Sequence, residues 1–194
     1  MRVDEGPSQQ PDDVSLMVRV RSDDEDAFAE LYRRHHRRVA GFFYGLSGDP
    51  QVAGDLRQET FLRIWRFRKR YAATGSFKAY VFSFARNIWL ENCREIRRRR
   101  RLGELQAFEP ESAPAGPSFR PDTVAARAEL EGHILGALDK LPEDQRMAFV
   151  LRIVDGLSIG DIATIMQCPV NTVRSRKLLA IKKLRETLRK TYSL

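Results

Sequence analysis

The sequence predicts an all-α protein made of two small helical domains joined by a flexible linker, with a helix-turn-helix in the second domain. Three observations predict this architecture. Apolar residues recur at spacings of three and four along most of the 194 residues, as on one face of a helix. Residues 103–121 contain four prolines and two glycines, a density that prevents helix and is typical of a linker. Acidic and basic residues occur in separate blocks, so the helical parts differ in charge from the segment between them.

Four helices are expected in the first domain, which spans residues 14–101 and follows a disordered tail over residues 1–13. The second helix should begin near Asp26, because acidic residues there favour the positive end of the helix dipole. A loop of small residues, from Ala72 to Gly75, should separate the third helix from the fourth. The predicted helices cover residues 14–21, 26–46, 50–68 and 76–101.

The second domain should cover residues 122–194, after a linker of residues 102–121. Its predicted helices cover residues 122–139, 143–154, 158–166 and 170–190. Ile159, Ile162 and Met166 form one apolar face of the third of these helices. Pro169 cannot continue that helix but suits the first turn of a new one. A short apolar helix, a tight turn and a second helix together predict a helix-turn-helix.

The second helix of this motif opens with basic and hydroxyl side chains, which suit the base edges and phosphates of duplex DNA. Residues 162–194 contain eight Lys or Arg against one acid, Glu186, whereas a solvated helix face normally mixes both signs. A DNA-binding helix is therefore favoured over the alternative, an amphipathic hairpin whose basic residues only maintain solubility.

The charge distribution also favours an anionic partner. The chain has 34 Lys and Arg against 26 Asp and Glu, a formal net charge of +8. Residues 31–70 hold ten basic and three acidic residues, and residues 71–101 hold eight basic and two acidic ones. Residues 102–145, in contrast, hold three basic and nine acidic residues. The two basic regions, residues 31–101 and 162–194, therefore lie on either side of an acidic segment. This arrangement predicts two separate contacts with one polyanion.

Several other classes of protein are not indicated. Cys93, Cys168 and the three histidines show no metal-ligand spacing, so no metal and no cofactor are predicted. No phosphate loop, nucleophile motif or paired carboxylates indicate an enzyme. No apolar run approaches the roughly 18 residues of a membrane span, and the N-terminal residues lack the pattern of a secretory signal. A cytoplasmic protein without catalytic residues is expected.

A second candidate surface lies on the third predicted helix, where acidic, amide and apolar side chains share one stripe. Its members are Asp55, Gln58, Glu59 and Leu62. Such a stripe either binds a protein partner or only meets water, and composition does not decide between the two. His35 and His36, next to four arginines, leave a similar choice between a phosphate contact and a solvated helix face.

A set of short motifs occurs in one order along about residues 23–190: Asp55-Leu56, Gln58-Glu59-Thr60-Phe61-Leu62, Trp65, Ala85-Arg86-Asn87, Leu141-Pro142, Arg146, Gly156-Leu157-Ser158, Asp161-Ile162-Ala163 and Thr172-Val173-Arg174-Ser175-Arg176. In these motifs the chain resembles regions two and four of the bacterial extracytoplasmic-function (ECF) sigma factors. Two separate motif sets joined by a linker are more specific than a helix-turn-helix alone.

The resemblance implies a dissociable promoter-specificity subunit of RNA polymerase. In region two, Asp55, Gln58, Glu59 and Leu62 would bind the clamp coiled coil of the largest core polymerase subunit, with Phe61 and Trp65 as core beneath them. Region two would also melt the promoter near position minus ten and hold its single strand, including a flipped base. The residues implied there are Tyr71, Ala72, Ala73, Thr74, Arg86, Asn87 and Arg97.

Region four would read the duplex minus thirty-five element and contact the polymerase flap. The residues implied for DNA binding are Asn171, Thr172, Arg174, Ser175, Arg176 and Lys177, with Arg174 and Ser175 on base edges. The family is usually held inactive by an anti-sigma factor, often a membrane-bound one, so such a partner is expected. The chain departs from its relatives at Leu179, where a basic residue is common, which leaves one minus thirty-five contact in question.

Two alternatives remain. A free-standing helix-turn-helix regulator would use residues 14–101 for sensing or dimerisation, but it would leave the stripe from Asp55 to Leu62 without a role. An enzyme acting on nucleic acid is the other alternative, although no metal or nucleophile cluster supports it.

Overall fold

The computed structural model describes residues 11–103 and 124–192 of the chain. These residues form eight α-helices: α1 (Asp13–Val20), α2 (Glu25–Ser47), α3 (Pro50–Arg66), α4 (Phe77–Arg101), α5 (Val124–Asp139), α6 (Glu143–Asp155), α7 (Ile159–Met166) and α8 (Val170–Tyr192). One turn of 3-10 helix, Arg68–Arg70, follows α3, and the described residues contain no β-strand. The all-α prediction is confirmed. Residues 1–10 of the predicted tail and residues 104–121 of the predicted linker lie outside the described residues.

Short polar side chains determine where the helices begin, because each accepts a hydrogen bond from a free backbone N–H of the first turn. Asp12 accepts one from Ser15 at 2.7 Å, so α1 starts inside the predicted tail. Asp24 accepts one from Ala27 at 2.9 Å, which places the start of α2 one residue before the predicted start. The end of α2 is set by Gly48, whose φ of 69° lies in the left-handed region that favours glycine.

The third helix ends two residues before its predicted end. The guanidinium group of Arg68 lies 4.1 Å from the centre of the Trp65 ring, and its Nε donates to Asp23 at 2.6 Å. The ammonium group of Lys69 also binds Asp23, at 2.6 Å. These contacts with the turn before α2 hold residues 68–70 in a tighter helical turn, which the apolar periodicity of α3 does not reveal.

The main core lies between α1, α2, α3 and α4 and continues into α6 and α7. Its largest fully buried side chains are Phe42, Phe43, Phe82, Leu16, Met17, Leu31, Leu46, Ile64, Met147, Leu151, Ile162 and Ile165. A smaller cluster joins α5 to α8 around Leu138 and Leu184. Since each large buried side chain contributes about 1.5–3 kcal/mol, these two clusters supply the main stabilisation of the fold.

The helices of the second predicted domain pack directly on those of the first. A Cβ atom at Gly45 of α2 would lie 3.1 Å from the Cγ atoms of Val150 in α6, so glycine permits this close approach. Nearby, Arg146 of α6 donates a hydrogen bond to the backbone oxygen of Leu46 at 2.8 Å. The two parts share one core in this structure, and the division of the chain into two domains stays a prediction.

His35 is a core residue, which is neither of the alternatives that the sequence left open for it. Its side chain is only 3% exposed, its Nε2 lies 2.7 Å from a carboxylate oxygen of Asp13, and its ring packs edge-on against Phe77. His36 instead stacks on the ring of Tyr32 at a centroid distance of 5.0 Å. Both histidines therefore serve packing in the described structure.

We expect the protein to lose stability through His35 as the pH falls below about 6.5. Burial lowers the pKa of the folded His35 ring; Asp13 opposes this, and Arg38 and Lys78 add to it. The unfolded chain therefore takes up the proton at a higher pH than the folded chain, and the free energy of unfolding falls as the pH decreases through that range.

The variant His35→Gln tests this, because glutamine keeps a donor for Asp13 and does not titrate. In thermal unfolding followed from about pH 7.5 to pH 5, the free energy of unfolding should fall more steeply with decreasing pH for the wild type than for the variant. The two slopes should differ by at most about 1.4 kcal/mol per pH unit. Parallel stability curves would contradict the prediction.

Candidate nucleic-acid and protein interfaces

The predicted helix-turn-helix is formed by α7 and α8. Ser158 caps α7 by accepting a hydrogen bond from the backbone N–H of Asp161 at 3.0 Å. Gln167 adopts a left-handed φ of 53°, which ends the helix, and the N–H of Cys168 donates to the oxygen of Ala163 at 3.1 Å. The next helix then begins at Val170, after Pro169, as the sequence predicts. The turn is therefore closed by local hydrogen bonds.

The second helix of the motif, α8, has one buried side and one exposed side. Val173, Ala180 and Leu184 are buried against the rest of the protein. The exposed side of its first half, called the recognition face below, consists of Val170, Asn171, Arg174, Ser175, Leu178, Leu179, Lys182 and Lys183. This face therefore presents three basic side chains to solvent.

Two predicted DNA-binding residues, Asn171 and Arg174, already contact each other on the recognition face. Nη1 of Arg174 donates to the amide oxygen of Asn171 at 3.1 Å, one helical turn away. Thr172 and Lys177 are half-buried beside this face, whereas Ser175 is exposed. The hydrogen bond orients the Arg174 guanidinium toward the start of α8, the end that enters the major groove in helix-turn-helix proteins.

Arg176 is placed differently from the other predicted DNA-binding residues of α8. Its half-buried guanidinium group forms an ion pair with Asp144 of α6, and its Nη1 lies 3.5 Å from the sulfur of Cys168. Arg176 thus braces α8 against α6. Its guanidinium therefore already has a carboxylate partner on one of its nitrogen atoms.

The stripe predicted on α3 is exposed, and it is called the acid–amide ridge below: Asp55, Gln58, Glu59 and Leu62. Asp55 and Gln58 are exposed and Glu59 is half-buried, while the apolar side chain of Leu62 is 55% exposed. The position of the Glu59 carboxylate is held by Arg63 at 2.6 Å. The ridge thus places one uncovered leucine among carboxylate and amide groups.

Beneath the ridge lie the two aromatic residues that the resemblance assigns to the core. Phe61 is buried, and Trp65 is half-buried with its ring centre 5.0 Å from that of Phe28 in α2. The Arg63 guanidinium also binds Glu91 of α4 at 2.7 Å. The ridge is therefore built on a rigid helix that is fixed to α2 and α4.

The predicted minus-ten loop divides into an exposed part and a buried part. Ala72, Ala73 and Thr74 are exposed, and the N–H of Thr74 donates to the oxygen of Ala72 at 2.8 Å. Tyr71 is only 3% exposed, and its ring packs edge-on against Tyr80 at a centroid distance of 4.9 Å. Tyr71 therefore anchors the loop from below, and the three small residues after it are the predicted loop residues that offer a surface to a ligand.

The Tyr71 hydroxyl has no hydrogen-bond partner among the described residues. Burial raises the pKa of this phenol, so it is neutral at physiological pH. An unpaired buried hydroxyl is unfavourable by about 1–3 kcal/mol. The buried ring fills the space below the loop and packs on Tyr80.

The remaining minus-ten candidates lie along α4. Arg86 is half-buried and Asn87 is exposed, with Nη1 of the arginine 3.4 Å from the amide oxygen of the asparagine. Arg97 is exposed near the end of the helix, and its guanidinium binds Glu143 of α6 at 2.8 Å. The structure brings Arg86 and Asn87 together and ties Arg97 to the second part of the chain.

Sequence reasoning missed the role of two consecutive carboxylates. Glu143 and Asp144, in the first turn of α6, bind Arg97 of α4 and Arg176 of α8, respectively. In the sequence they look only like acidic residues that favour a helix N-terminus. In the structure each of them forms an ion pair with a candidate DNA-binding arginine, one from each half of the chain.

Within residues 11–103 and 124–192, no three His, Cys, Asp or Glu side chains come together in a way that could hold a metal ion. Across the same residues, no helix is long and apolar enough to cross a membrane.

Comparisons with known proteins agree with this architecture. Residues 31–101 match the family described as Sigma-70 region 2, and residues 133–184 match Sigma-70, region 4. The chain is 32% identical over 171 residues to the RNA polymerase sigma-H factor of Pseudomonas aeruginosa, covering 86% of this chain and 89% of that protein. It is 34% identical over 175 residues to the ECF RNA polymerase sigma-E factor of Escherichia coli K12, covering 87% and 90%.

Two solved structures have a similar fold. The sigma factor RpoE from Bartonella quintana, in complex with the anti-sigma factor NepR, superposes with a TM-score of 0.66 at 26% identity, covering 84% of this chain and 96% of that chain. CnrH, in complex with the cytosolic domain of CnrY, superposes with a TM-score of 0.65 at 24% identity, covering 91% and 96%.

Proposed function

This chain belongs to the ECF sigma factors, and from that premise we propose how its parts divide the work of starting transcription. It is an alternative RNA polymerase sigma factor. Residues 14–101 act as region two, which binds core polymerase and opens the promoter near minus ten. Residues 122–194 act as region four, which reads the minus thirty-five element and contacts the flap.

In this proposal the acid–amide ridge docks on the clamp coiled coil of the largest polymerase subunit. The exposed Leu62 supports this, because an uncovered leucine among carboxylates suits a partner that offers an apolar spot ringed by basic groups. The Glu59 carboxylate is held in place by Arg63 at 2.6 Å and so needs little further ordering on binding.

Promoter opening is assigned to the exposed loop residues 72–74 together with Arg86 and Asn87. Taking a base out of the stack requires a few kcal/mol, which contacts to the released strand must offset. Small loop residues leave room for a flipped base, and the Asn87 amide can donate to and accept from a base edge. Tyr71 supports this loop from the core, and Arg97 binds phosphate once it leaves Glu143.

Replacement of Asn87 by alanine is expected to impair promoter opening more than promoter binding. Losing one hydrogen bond to the single strand should lower the fraction of open complex about two- to tenfold. Permanganate reactivity of unpaired thymines measures opening, and a gel shift with duplex promoter measures binding. Asn92→Ala, on another side of α4, is the matched control. Normal permanganate reactivity in Asn87→Ala would contradict this role.

Reading of the minus thirty-five element is assigned to α8. Arg174 and Ser175 contact base edges, while Asn171, Thr172, Arg176 and Lys177 mostly bind or position the backbone. Arg176 is paired with Asp144 in the structure, and phosphate can replace that carboxylate. Both partners offer anionic oxygens to the same guanidinium, so the exchange conserves a charge-assisted contact.

An anti-sigma factor is proposed as a second partner. Both relatives with similar folds, RpoE of Bartonella quintana and CnrH, were solved bound to another protein, which is an anti-sigma factor in the former case. We propose that such an inhibitor covers the acid–amide ridge of this chain, because it would then block the surface assigned to core polymerase. We propose a cytoplasmic protein, held at the membrane where that inhibitor is itself membrane-bound.

The observation that carries the proposal is the presence of two separate exposed surfaces on one fold, the acid–amide ridge and the recognition face. A free-standing regulator needs only the second. The test is transcription in vitro with purified core polymerase on a genomic fragment library: this chain should start new, selective transcripts. If the chain binds DNA selectively but core polymerase starts no new transcripts with it, the free-standing regulator is the better account.

A further inference from the structure

We propose that Leu178 and Leu179 read thymine methyl groups in the major groove of the minus thirty-five element and so set part of the promoter preference. The inference rests on the proposed role of α8 in reading DNA. It gives a function to Leu179, the residue at which the resemblance leaves one minus thirty-five contact in question.

The first observation is exposure. Leu178 is 66% exposed and Leu179 is 46% exposed, although they adjoin Ala180, which is fully buried. A single exposed leucine is ordinary on a protein surface. Two adjacent ones in the middle of the recognition face are instead an apolar patch, and exposed polar or basic residues separate this patch from Val170 at the start of α8.

The second observation is the charge around the leucines. Arg174 and Ser175 lie one helical turn before them, and Lys182 and Lys183 lie one turn after them, all exposed. Residues 170–183 contain five basic residues and no acidic one. The occupant of this face must therefore be anionic at both ends of an apolar spot. A DNA major groove fits this description, because phosphates line its edges and thymine methyl groups lie on its floor.

The third observation is position along the helix. At a rise of about 1.5 Å per residue, Leu178 lies about 6 Å beyond Arg174 along α8, and successive base pairs are about 3.4 Å apart. If Arg174 contacts one base, the leucines reach base pairs one or two steps away. Since leucine cannot hydrogen-bond, the thymine methyl is the favourable feature there, and a cytosine amino group would be left without its water.

The test separates the methyl contact from every other effect of the leucines. The preferred minus thirty-five element is first selected from a randomised duplex library with the reconstituted holoenzyme. Each thymine is then replaced singly by deoxyuridine, which removes only the methyl group. Wild-type holoenzyme should bind about three- to fivefold more weakly at one or two of these positions, as expected for one buried methyl.

The leucine variants supply the other half of the experiment. Leu178→Ala and Leu179→Ala should each bind thymine and deoxyuridine duplexes equally at the position that the missing side chain reads. Val18→Ala in α1, which also shortens an exposed apolar side chain, should keep the wild-type difference. Loss of the difference only in the leucine variants supports the proposal.

Four results would overturn it. Selected elements without thymine, or equal binding of thymine and deoxyuridine by the wild type, would remove the methyl contact while leaving selective binding by α8 intact. Leucine variants that keep the thymine preference but bind core polymerase or an inhibitor protein more weakly would assign the patch to a protein partner. A holoenzyme that selects no element at all would instead refute the proposed role of α8 itself.

Discussion

Replacing Asp55, Gln58 and Glu59 together by alanine should reduce the affinity for core RNA polymerase at least about thirtyfold, since one interface hot spot already contributes about 2 kcal/mol. These side chains form the polar part of the acid–amide ridge, and none of them is buried. The core beneath them, including Phe61, stays intact. We therefore expect a folded protein that no longer forms holoenzyme, as measured by co-purification with core polymerase.

A matched control removes the same groups elsewhere. Glu25, Asp26 and Gln51 are exposed at the starts of α2 and α3, and changing them to alanine also removes two carboxylates and one amide. This control should bind core polymerase as the wild type does, with at most a small loss of thermal stability from the weakened helix start. Equal binding by both triple variants would show that the ridge is not the docking surface.

Replacing Arg174 by alanine should remove much of the promoter selectivity while leaving core polymerase binding unchanged. A good bidentate contact with a base contributes about 1–3 kcal/mol of discrimination, which corresponds to about five- to 150-fold in selective binding. Arg174 is exposed, and its side chain binds Asn171 of the same helix at 3.1 Å, so its loss should leave the fold of α8 unchanged. The measurement is the ratio of holoenzyme affinities for a cognate and a scrambled minus thirty-five duplex.

Lys177→Ala is the informative comparison for this experiment. Loss of a residue that binds phosphate should weaken binding to both duplexes alike, and it should reduce the salt dependence of binding by about one counterion. Arg174→Ala should instead lower the cognate affinity selectively. Arg127→Ala, on the exposed side of α5, controls for the loss of one positive charge. If Arg174→Ala lowers both affinities equally, its guanidinium binds the backbone and not a base.

The sequence was enough to predict where the candidate site residues lie along the helices. It was only partly enough to predict which of their side chains are exposed. The spacing of Asp55, Gln58 and Leu62 is enough to place them on one exposed stripe, because helical geometry repeats within a few residues. Tyr71 belongs to the same sequence segment as the exposed loop, yet its ring is buried against Tyr80. No local pattern distinguishes an aromatic residue that offers its face to a base from one that fills the core.

The amino-acid sequence alone was sufficient to determine the helices, the turn before Pro169 and the separation of charge along the chain. Each of these depends on neighbours within about one or two turns: apolar periodicity, caps such as Asp24, and the missing N–H of proline. They are therefore visible before any fold is known.

The tertiary structure decided which of those side chains are available. Arg97 meets Glu143 across 46 residues of chain, and Arg176 meets Asp144 across 32. Such pairings depend on how α6 packs on α2 beside Gly45. The apolar face of a helix shows that it packs on another element, but it does not show which one. The same packing leaves Leu178 uncovered among basic neighbours, because Val173 and Ala180 on the opposite side of α8 are the ones that meet the core.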